Sequence, residues 1–210
     1  MNRRSLLIAV AVVAALSAPV APVRAAGAAA TPAASHAAPA ASHAKSATKT
    51  QASHVARGKY LVTIMGCNDC HTPLTMTDHG PDRDWSRRLS GHPESIPVSA
   101  PPALGQGWMA ATSPTMTAWT GPWGTSFTAN LTPDPETGLG KWTAETFITA
   151  LRTGKHEGVG RPILPPMPWN MINQATDEDL RAIFAYLQSI PPIKNRVPQP
   201  VDPPEAPGAR

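Results

Sequence analysis

Residues 65–73, MGCNDCHTP, contain the only two cysteines of a 210-residue chain. Cys67 and Cys70 are separated by two residues, and His71 follows directly. A disulfide across such a short gap closes a very small loop and gains little stability from chain entropy. A zinc site needs further ligands, and the chain has no second cysteine pair. A thioredoxin-type redox pair belongs to a strand and helix pattern that the neighbouring sequence lacks.

One interpretation accounts for both thiols and the histidine together. The pattern Cys-x-x-Cys-His is the attachment signature of a c-type haem. Thiols at this spacing add to the two vinyl groups of one haem, and the following imidazole then stands beneath the iron. We therefore predict one covalently bound haem c, with Cys67 and Cys70 as thioether sites and His71 as a ligand of the iron.

The sixth ligand of the iron decides between an electron carrier and an open haem site. Methionine sulfur is common in carriers, where it raises the reduction potential. Met167 lies in the segment RPILPPMPWN, whose prolines pre-set the backbone and lower the cost of ordering. We predict Met167 as the distal ligand, with Met171 and Met116 as alternatives. A second histidine ligand is a further alternative, although we expect the candidates to be exposed: His79, His92 and His156.

Residues 1–26 are predicted to be an export signal. The basic start MNRR precedes the apolar run LLIAVAVVAAL and a segment of small residues that offers a cleavage site. The apolar run falls short of the roughly 20 residues that span a bilayer, but an uncleaved signal would act as a membrane tether. Removal of its three arginines lowers the formal net charge from +4 to +1. The charge therefore gives no support for a nucleic-acid partner.

The remaining chain divides into three parts by composition. Residues 27–53 are rich in Ala, Pro, Ser and Thr and offer little to bury, so we predict a flexible linker. Residues 196–210 are rich in proline and are predicted to be a tail that runs over the surface. The folded domain is therefore expected to cover residues 54–195.

Helical patterns are the only regular elements that we predict within this domain. Thr143 and Thr176 are suited to cap helix starts, and Gly154 is suited to end the first of those two helices. No convincing alternating strand pattern appears, and residues 72–142, which are dense in Gly and Pro, are predicted to form packed loops. We therefore predict an all-α fold with helices at about residues 54–66, 143–153 and 176–190.

Four segments resemble the single-haem c-type cytochromes found with periplasmic bacterial dehydrogenases. They are RGKYLVTIMGC, GCNDCHTP, TANLTPDPETGLGKWTAETFITALRTGKH and ILPPMPWNMINQATDEDLRAIFAYLQSIPP, and the likeness covers roughly residues 55–195. The resemblance implies a cytochrome c fold around one haem, whose first and third helices cross near the haem edge. It also implies thioether bonds from Cys67 and Cys70, with His71 and Met167 as the axial ligands.

The expected function is electron transfer without catalysis. We expect the exported, periplasmic protein to carry one electron between a dehydrogenase donor and an oxidase or reductase acceptor. Trp142 is suited to donate its indole N–H to a haem propionate, and core packing is an equally good interpretation. Two alternatives stay open for the whole chain: a peroxidase-like haem enzyme or sensor with an open sixth position, and a fixed cytochrome subunit of a dehydrogenase complex.

Overall fold

A computed structural model describes residues 40–100 and 102–203. The predicted signal, the first part of the predicted linker and the end of the predicted tail lie outside these ranges. Within them, no helix is both long enough and apolar enough to cross a membrane.

The described chain combines helices with short antiparallel strands. The helices are α1 (Ala40–Ile64), α2 (Cys67–His71), α3 (Ala144–Thr153), α4 (Trp169–Ile172) and α5 (Asp177–Ser189). The strands are β1 (Leu74–Thr77), β2 (Gly80–Arg83), β3 (Ala111–Thr112), β4 (Ala118–Gly121) and β5 (Gly124–Phe127). Strands β1 and β2 form a hairpin, and the other three form a sheet in the order β3-β4-β5.

The strands lie in the region that we predicted to be packed loops, so the all-α expectation is not confirmed. None of the five strands is longer than four residues. An alternation of apolar and polar residues needs several repeats before it stands out from chance. The hairpin β1–β2 also buries none of its residues fully, so no buried face marks it in the sequence.

Helix α1 begins at Ala40, whereas the prediction placed its start near residue 54. Residues 40–53, which we assigned to a flexible linker, are therefore helical in the structure. The segment contains several alanines, which have the highest intrinsic helix propensity, and it has no proline after residue 39. The scarcity of large apolar residues was a poor guide here, because intrinsic propensity also favours a helix.

The core forms where α1 crosses α5. Gly58 allows the two backbones to approach, because a Cβ atom at this position would lie 1.9 Å from the carbonyl oxygen of Ala182. Outside this crossing, Arg57 Nε donates to Asp179 Oδ1 at 2.9 Å. The first and third predicted helices correspond to α1 and α5, and these two helices cross as expected. Buried apolar side chains fill the contact: Leu61, Val62, Leu180, Ile183 and Leu187.

The helix ends follow the predicted signals. Thr143 Oγ1 accepts a hydrogen bond from the backbone of Thr146 at 3.1 Å at the start of α3, and Gly154 ends that helix in the left-handed region. Thr176 Oγ1 accepts from the backbone of Asp179 at 3.1 Å at the start of α5. These local bonds satisfy backbone groups that a helix leaves unpaired.

The first residues of the predicted tail are bonded to the domain. The backbone N–H of Arg196 donates to Glu94 at 2.8 Å. Val201 pairs with Thr125 of β5 through two backbone hydrogen bonds of 2.8 and 2.9 Å. The described tail residues therefore add to the edge of the β3-β4-β5 sheet beside β5.

Candidate functional site

The Cys-x-x-Cys-His motif is the helix α2 itself. Gly66 precedes it with φ of 68°, which turns the chain from the end of α1 into the new helix. On one helical turn, positions 67, 70 and 71 have the i, i+3 and i+4 spacing that places side chains on one face. Local geometry alone therefore brings the two thiols and the imidazole together, as the motif predicts.

The imidazole of His71 is prepared to bind a metal through one nitrogen. The ring is buried, and Nδ1 lies 2.8 Å from the carbonyl oxygen of Ala129. A carbonyl oxygen only accepts, so Nδ1 carries the proton and the lone pair lies on Nε2. Burial lowers the pKa of His71, which favours the neutral ring that a metal requires. Such a bond from the second ring nitrogen is the usual support of a metal-bound histidine.

The acceptor of this bond lies in a firmly held backbone segment. Thr128, next to Ala129, donates its backbone N–H to Thr117 at 2.9 Å and accepts from His92 at 3.0 Å. Farther along, Leu131 donates to the carbonyl of Leu89 at 2.9 Å. Residues 128–131 are thus bonded to chain on both sides, which fixes where the carbonyl of Ala129 points.

Gly91 lies next to both residues that the hydrogen bond between His71 and Ala129 joins. Its N–H donates to the backbone oxygen of His71 at 2.9 Å. Its φ of 78° is in the left-handed region, and a Cβ atom there would lie 2.3 Å from the oxygen of Thr128 and 2.6 Å from that of Ala129. Only glycine fits this close approach.

The two sulfurs are not bonded to each other. Cys67 and Cys70 are free thiols, each partly buried. Burial raises the pKa of Cys67 to about 11 and also raises the pKa of Cys70. Two free sulfurs and an imidazole with an available lone pair form the donor set that a haem c requires, so these residues fit that group.

Met167 lies in the proline-rich loop between α3 and α4. Its side chain is partly buried and packs against the same hydrophobic cluster that Cys67 contacts. Within the described ranges, no hydrogen bond or ring contact links Met167 directly to His71. Of the alternatives, Met171 is 72% exposed, and Met116 is partly buried in the turn between β3 and β4.

Trp142 borders the same cluster as Cys67 and Met167. Its ring meets the ring of His156 edge to face, with the centroids 5.2 Å apart. These contacts satisfy the packing interpretation of Trp142. Its hydrogen bond to a haem propionate stays a prediction.

The expectation that His92 is exposed is wrong. Its side chain is completely buried, and both ring nitrogens are occupied. Nε2–H donates to the carbonyl oxygen of Ile96 at 3.0 Å, so Nδ1 is the acceptor for Thr117 Oγ1 at 2.8 Å. His92 therefore has no free lone pair for iron. His79 and His156 are exposed, as expected, and the described ranges contain no cluster of three His, Cys, Asp or Glu suited to a metal ion.

No sequence signal marked the residues that support the predicted ligand His71. The carbonyl of Ala129 acts through the backbone, and every residue type offers the same group. Gly91 has no motif around it, although a glycine in a loop is a general sign of a special backbone position.

No protein-family model matches the chain. Among curated proteins, it is 29% identical over 147 residues to the cytochrome c subunit of the quinone alcohol dehydrogenase of Gluconobacter oxydans, covering 69% of this chain and 23% of that protein. The corresponding subunit of Komagataeibacter europaeus is 31% identical over 144 residues, or 66% of this chain and 25% of that protein. The fructose dehydrogenase cytochrome subunit of Gluconobacter japonicus is 27% identical over 135 residues, with shares of 64% and 21%. The chain thus spans a quarter or less of each of these three relatives.

Proposed function

Because this chain is a c-type cytochrome of the kind found as subunits of bacterial dehydrogenases, we propose that it carries one electron at a time on a single His/Met-ligated haem c. The observation that carries the proposal is the state of His71. Its Nδ1–H is bonded to Ala129, and its Nε2 lone pair is free on the same helical turn as two unbonded thiols.

Each residue of the site has a distinct role in this proposal. Cys67 and Cys70 would hold a haem through thioether bonds, and His71 would be one ligand of its iron. Met167 would be the second ligand of the iron, and Trp142 would donate its indole N–H to the haem. The bound haem supplies reversible one-electron chemistry at its iron, and the chain supplies the ligands, the orientation and the exclusion of water.

The packing around the site supports a carrier. Cys67, Met167 and Trp142 all border the buried cluster formed by α1, α3 and α5. Ligands fixed by such packing move little when the charge of the iron changes, so little reorganisation opposes electron transfer. An apolar surrounding also limits solvent access and tunes the reduction potential.

We propose an exported, periplasmic location and redox-protein partners. The basis is the signal-like sequence of residues 1–26. A dehydrogenase would donate the electron and a respiratory oxidase or reductase would accept it. The names of the relatives favour a second candidate, a fixed cytochrome subunit within a dehydrogenase complex. Purification of the native protein separates the two, because a fixed subunit elutes with a catalytic partner in constant ratio and a free carrier elutes alone.

The test of the distal ligand is Met167→Ala, with Met171→Ala as the matched control on an exposed methionine. The oxidised parent is expected to show the weak far-red absorption band of iron bound to methionine sulfur. Met167→Ala should lose that band, bind carbon monoxide when reduced, and have a lower potential by on the order of 0.1 V, within the roughly 0.8 V range that axial ligands control.

Met171→Ala should keep the spectrum and potential of the parent. If Met167→Ala leaves both unchanged, Met167 is not the ligand. If the parent itself lacks the band and binds carbon monoxide tightly, the haem site is open and the chain is closer to a haem enzyme or sensor.

A further inference from the structure

Strand β5 and the two residues after it form hydrogen bonds to both sides of the site. One bond goes to the loop that carries Met167, and the other comes from His71. Ser126 in β5 donates its Oγ–H to the carbonyl oxygen of Pro165, at 2.5 Å, in the loop that carries Met167. Three positions later, the carbonyl oxygen of Ala129 accepts the hydrogen bond from His71 at 2.8 Å. Residues 126–129, here called the β5 brace, thus lie between the two sides of the site.

The β5 brace is held along its length. Trp119 of β4 pairs with Ser126, and the backbone of Thr128 is bonded to Thr117 and to His92. Ser126 is itself buried, and its hydroxyl lies 3.4 Å from the carbonyl oxygen of Trp119 but only 2.5 Å from that of Pro165, so the shorter bond to Pro165 takes its proton. A short segment fixed on both edges is well suited to keep two groups at a constant separation.

The hydrogen bond from Ser126 joins the loop between α3 and α4, which carries Met167, to the β3-β4-β5 sheet. In the described chain, the other hydrogen bonds of this loop stay close to it. They are made within the loop, with α4, or with the end of α3 and the turn that follows α3. Thus Ile163 donates to Gly154 at 2.8 Å, and Met167 donates to Leu164 at 3.3 Å. These bonds shape the loop, but they do not fasten it to the segment that orients His71.

We propose that the β5 brace sets the position of Met167 relative to His71, with Ser126 as the positioning residue on the methionine side. This inference rests on the His/Met ligation proposed above. Without the Ser126 hydroxyl, the loop separates from the sheet more readily. The bond between Met167 and the iron then opens more often, and an added ligand competes for the iron more successfully.

The experiment compares Ser126→Ala with Thr120→Val in the oxidised holoprotein. Thr120 lies in β4, and its hydroxyl bonds stay within the β4–β5 hairpin, to Gly124 and Thr125 at 3.2 Å. Imidazole is added as the competing ligand, and its binding is followed by loss of the far-red methionine band. Loss of one buried hydrogen bond is expected to tighten apparent imidazole binding by roughly three- to tenfold in Ser126→Ala.

Thr120→Val should bind imidazole as the parent does, and Ser126→Thr, which keeps a hydroxyl, should return toward the parent value. The inference is overturned if Ser126→Ala binds imidazole no more tightly than the parent. It is also overturned if both variants change equally, because the effect then follows hairpin stability and not the loop contact. A parent that lacks the far-red band instead contradicts the methionine ligation itself, and the inference falls with it.

Discussion

One asparagine joins the end of the domain to the segment that supports His71. Asn195 is completely buried, and its Nδ2 donates to the carbonyl oxygens of Ser90 and His92 at 2.7 and 2.8 Å. Its Oδ1 accepts from the backbone N–H of Glu94 at 2.9 Å. A side chain that both donates and accepts is required here, and only an amide of this length does both.

Asn195→Asp tests this requirement with almost no change in shape. The carboxylate has no proton to donate and would face two carbonyl oxygens in a buried site. We expect the free energy of unfolding to fall by about 2 kcal/mol at neutral pH, measured by urea denaturation, because Arg87 Nη2, which lies 3.3 Å from Oδ1, offsets part of the buried charge. Asn170→Asp, at an exposed position in α4, should have the same urea unfolding midpoint as the parent within error. Equal midpoints for the two variants would contradict the role of Asn195.

Gly91→Ala tests the support of His71, the residue that we propose as a ligand of the haem iron. The added methyl group collides with Thr128 and Ala129, so the bond from His71 to the Ala129 carbonyl lengthens. A weaker bond makes the imidazole a poorer donor, which stabilises oxidised iron less and raises the potential. We expect a rise of roughly 30 to 60 mV by redox titration, since about 59 mV is a tenfold change for one electron.

Gly107→Ala is the matched control for this variant. Gly107 has a φ of 89°, so an alanine there meets a similar backbone strain, but its Cβ atom has nothing within 4 Å. If both variants shift the potential alike, backbone strain and not the contact with Ala129 is responsible.

At the level of single residues, the sequence was informative where the chemistry is local. Cys67, Cys70 and His71 lie on one helical turn, so their spacing already determined that they meet. The partner of His71 is 58 positions away and acts through a backbone carbonyl, which no residue type marks. The exposure of His92 was misjudged because its two partners become visible only after the chain folds.

Among the elements, helices with strong end signals were predictable and short strands were not. Helices α3 and α5 have capping threonines and apolar stripes that repeat over several turns. Strands β4 and β5 have four residues each, which is too short for an alternating apolar pattern to stand out in the sequence. Helix α1 was found with the wrong start because no capping signal marks position 40.

Gly58→Ala tests the packing between two elements. In isolation the change should favour α1, because alanine has a higher helix propensity than glycine by about 1 kcal/mol. The methyl group would collide with Ala182 and Tyr186, so α1 and α5 must separate. We expect a net loss of about 2 kcal/mol in the free energy of unfolding, followed by circular dichroism in urea.

The exposed neighbour Lys59→Ala serves as the control on the same helix. It should change the unfolding midpoint little, since its side chain is exposed. A stabilised Gly58→Ala variant would show that the helices tolerate a wider separation than the structure indicates.

For the whole molecule, the buried His92 makes stability depend on pH. Burial lowers its pKa below the ordinary value of 6.5. As the pH falls below that value, the unfolded chain binds a proton that folded His92 does not, so the free energy of unfolding decreases until the folded pKa is reached. His92→Gln keeps a donor and an acceptor but does not titrate.

Unfolding of the parent and of His92→Gln should therefore be compared between pH 7 and pH 5. The parent is expected to lose more stability over this window than the variant. His79→Gln, at an exposed position, should follow the parent curve. Parallel curves for the parent and His92→Gln would mean that other groups determine the acid sensitivity.

The crossing of α1 and α5 has a consequence for how the chain matures. Arg57 and Asp179 are 122 positions apart, and bringing such distant segments together costs about 4 kcal/mol in chain entropy. A polypeptide that emerges from its amino end cannot complete this contact until α5 has appeared. Cys67 and Cys70, in the short helix α2 that follows α1, would therefore stay accessible to the proposed haem attachment until α5 emerges and the core closes.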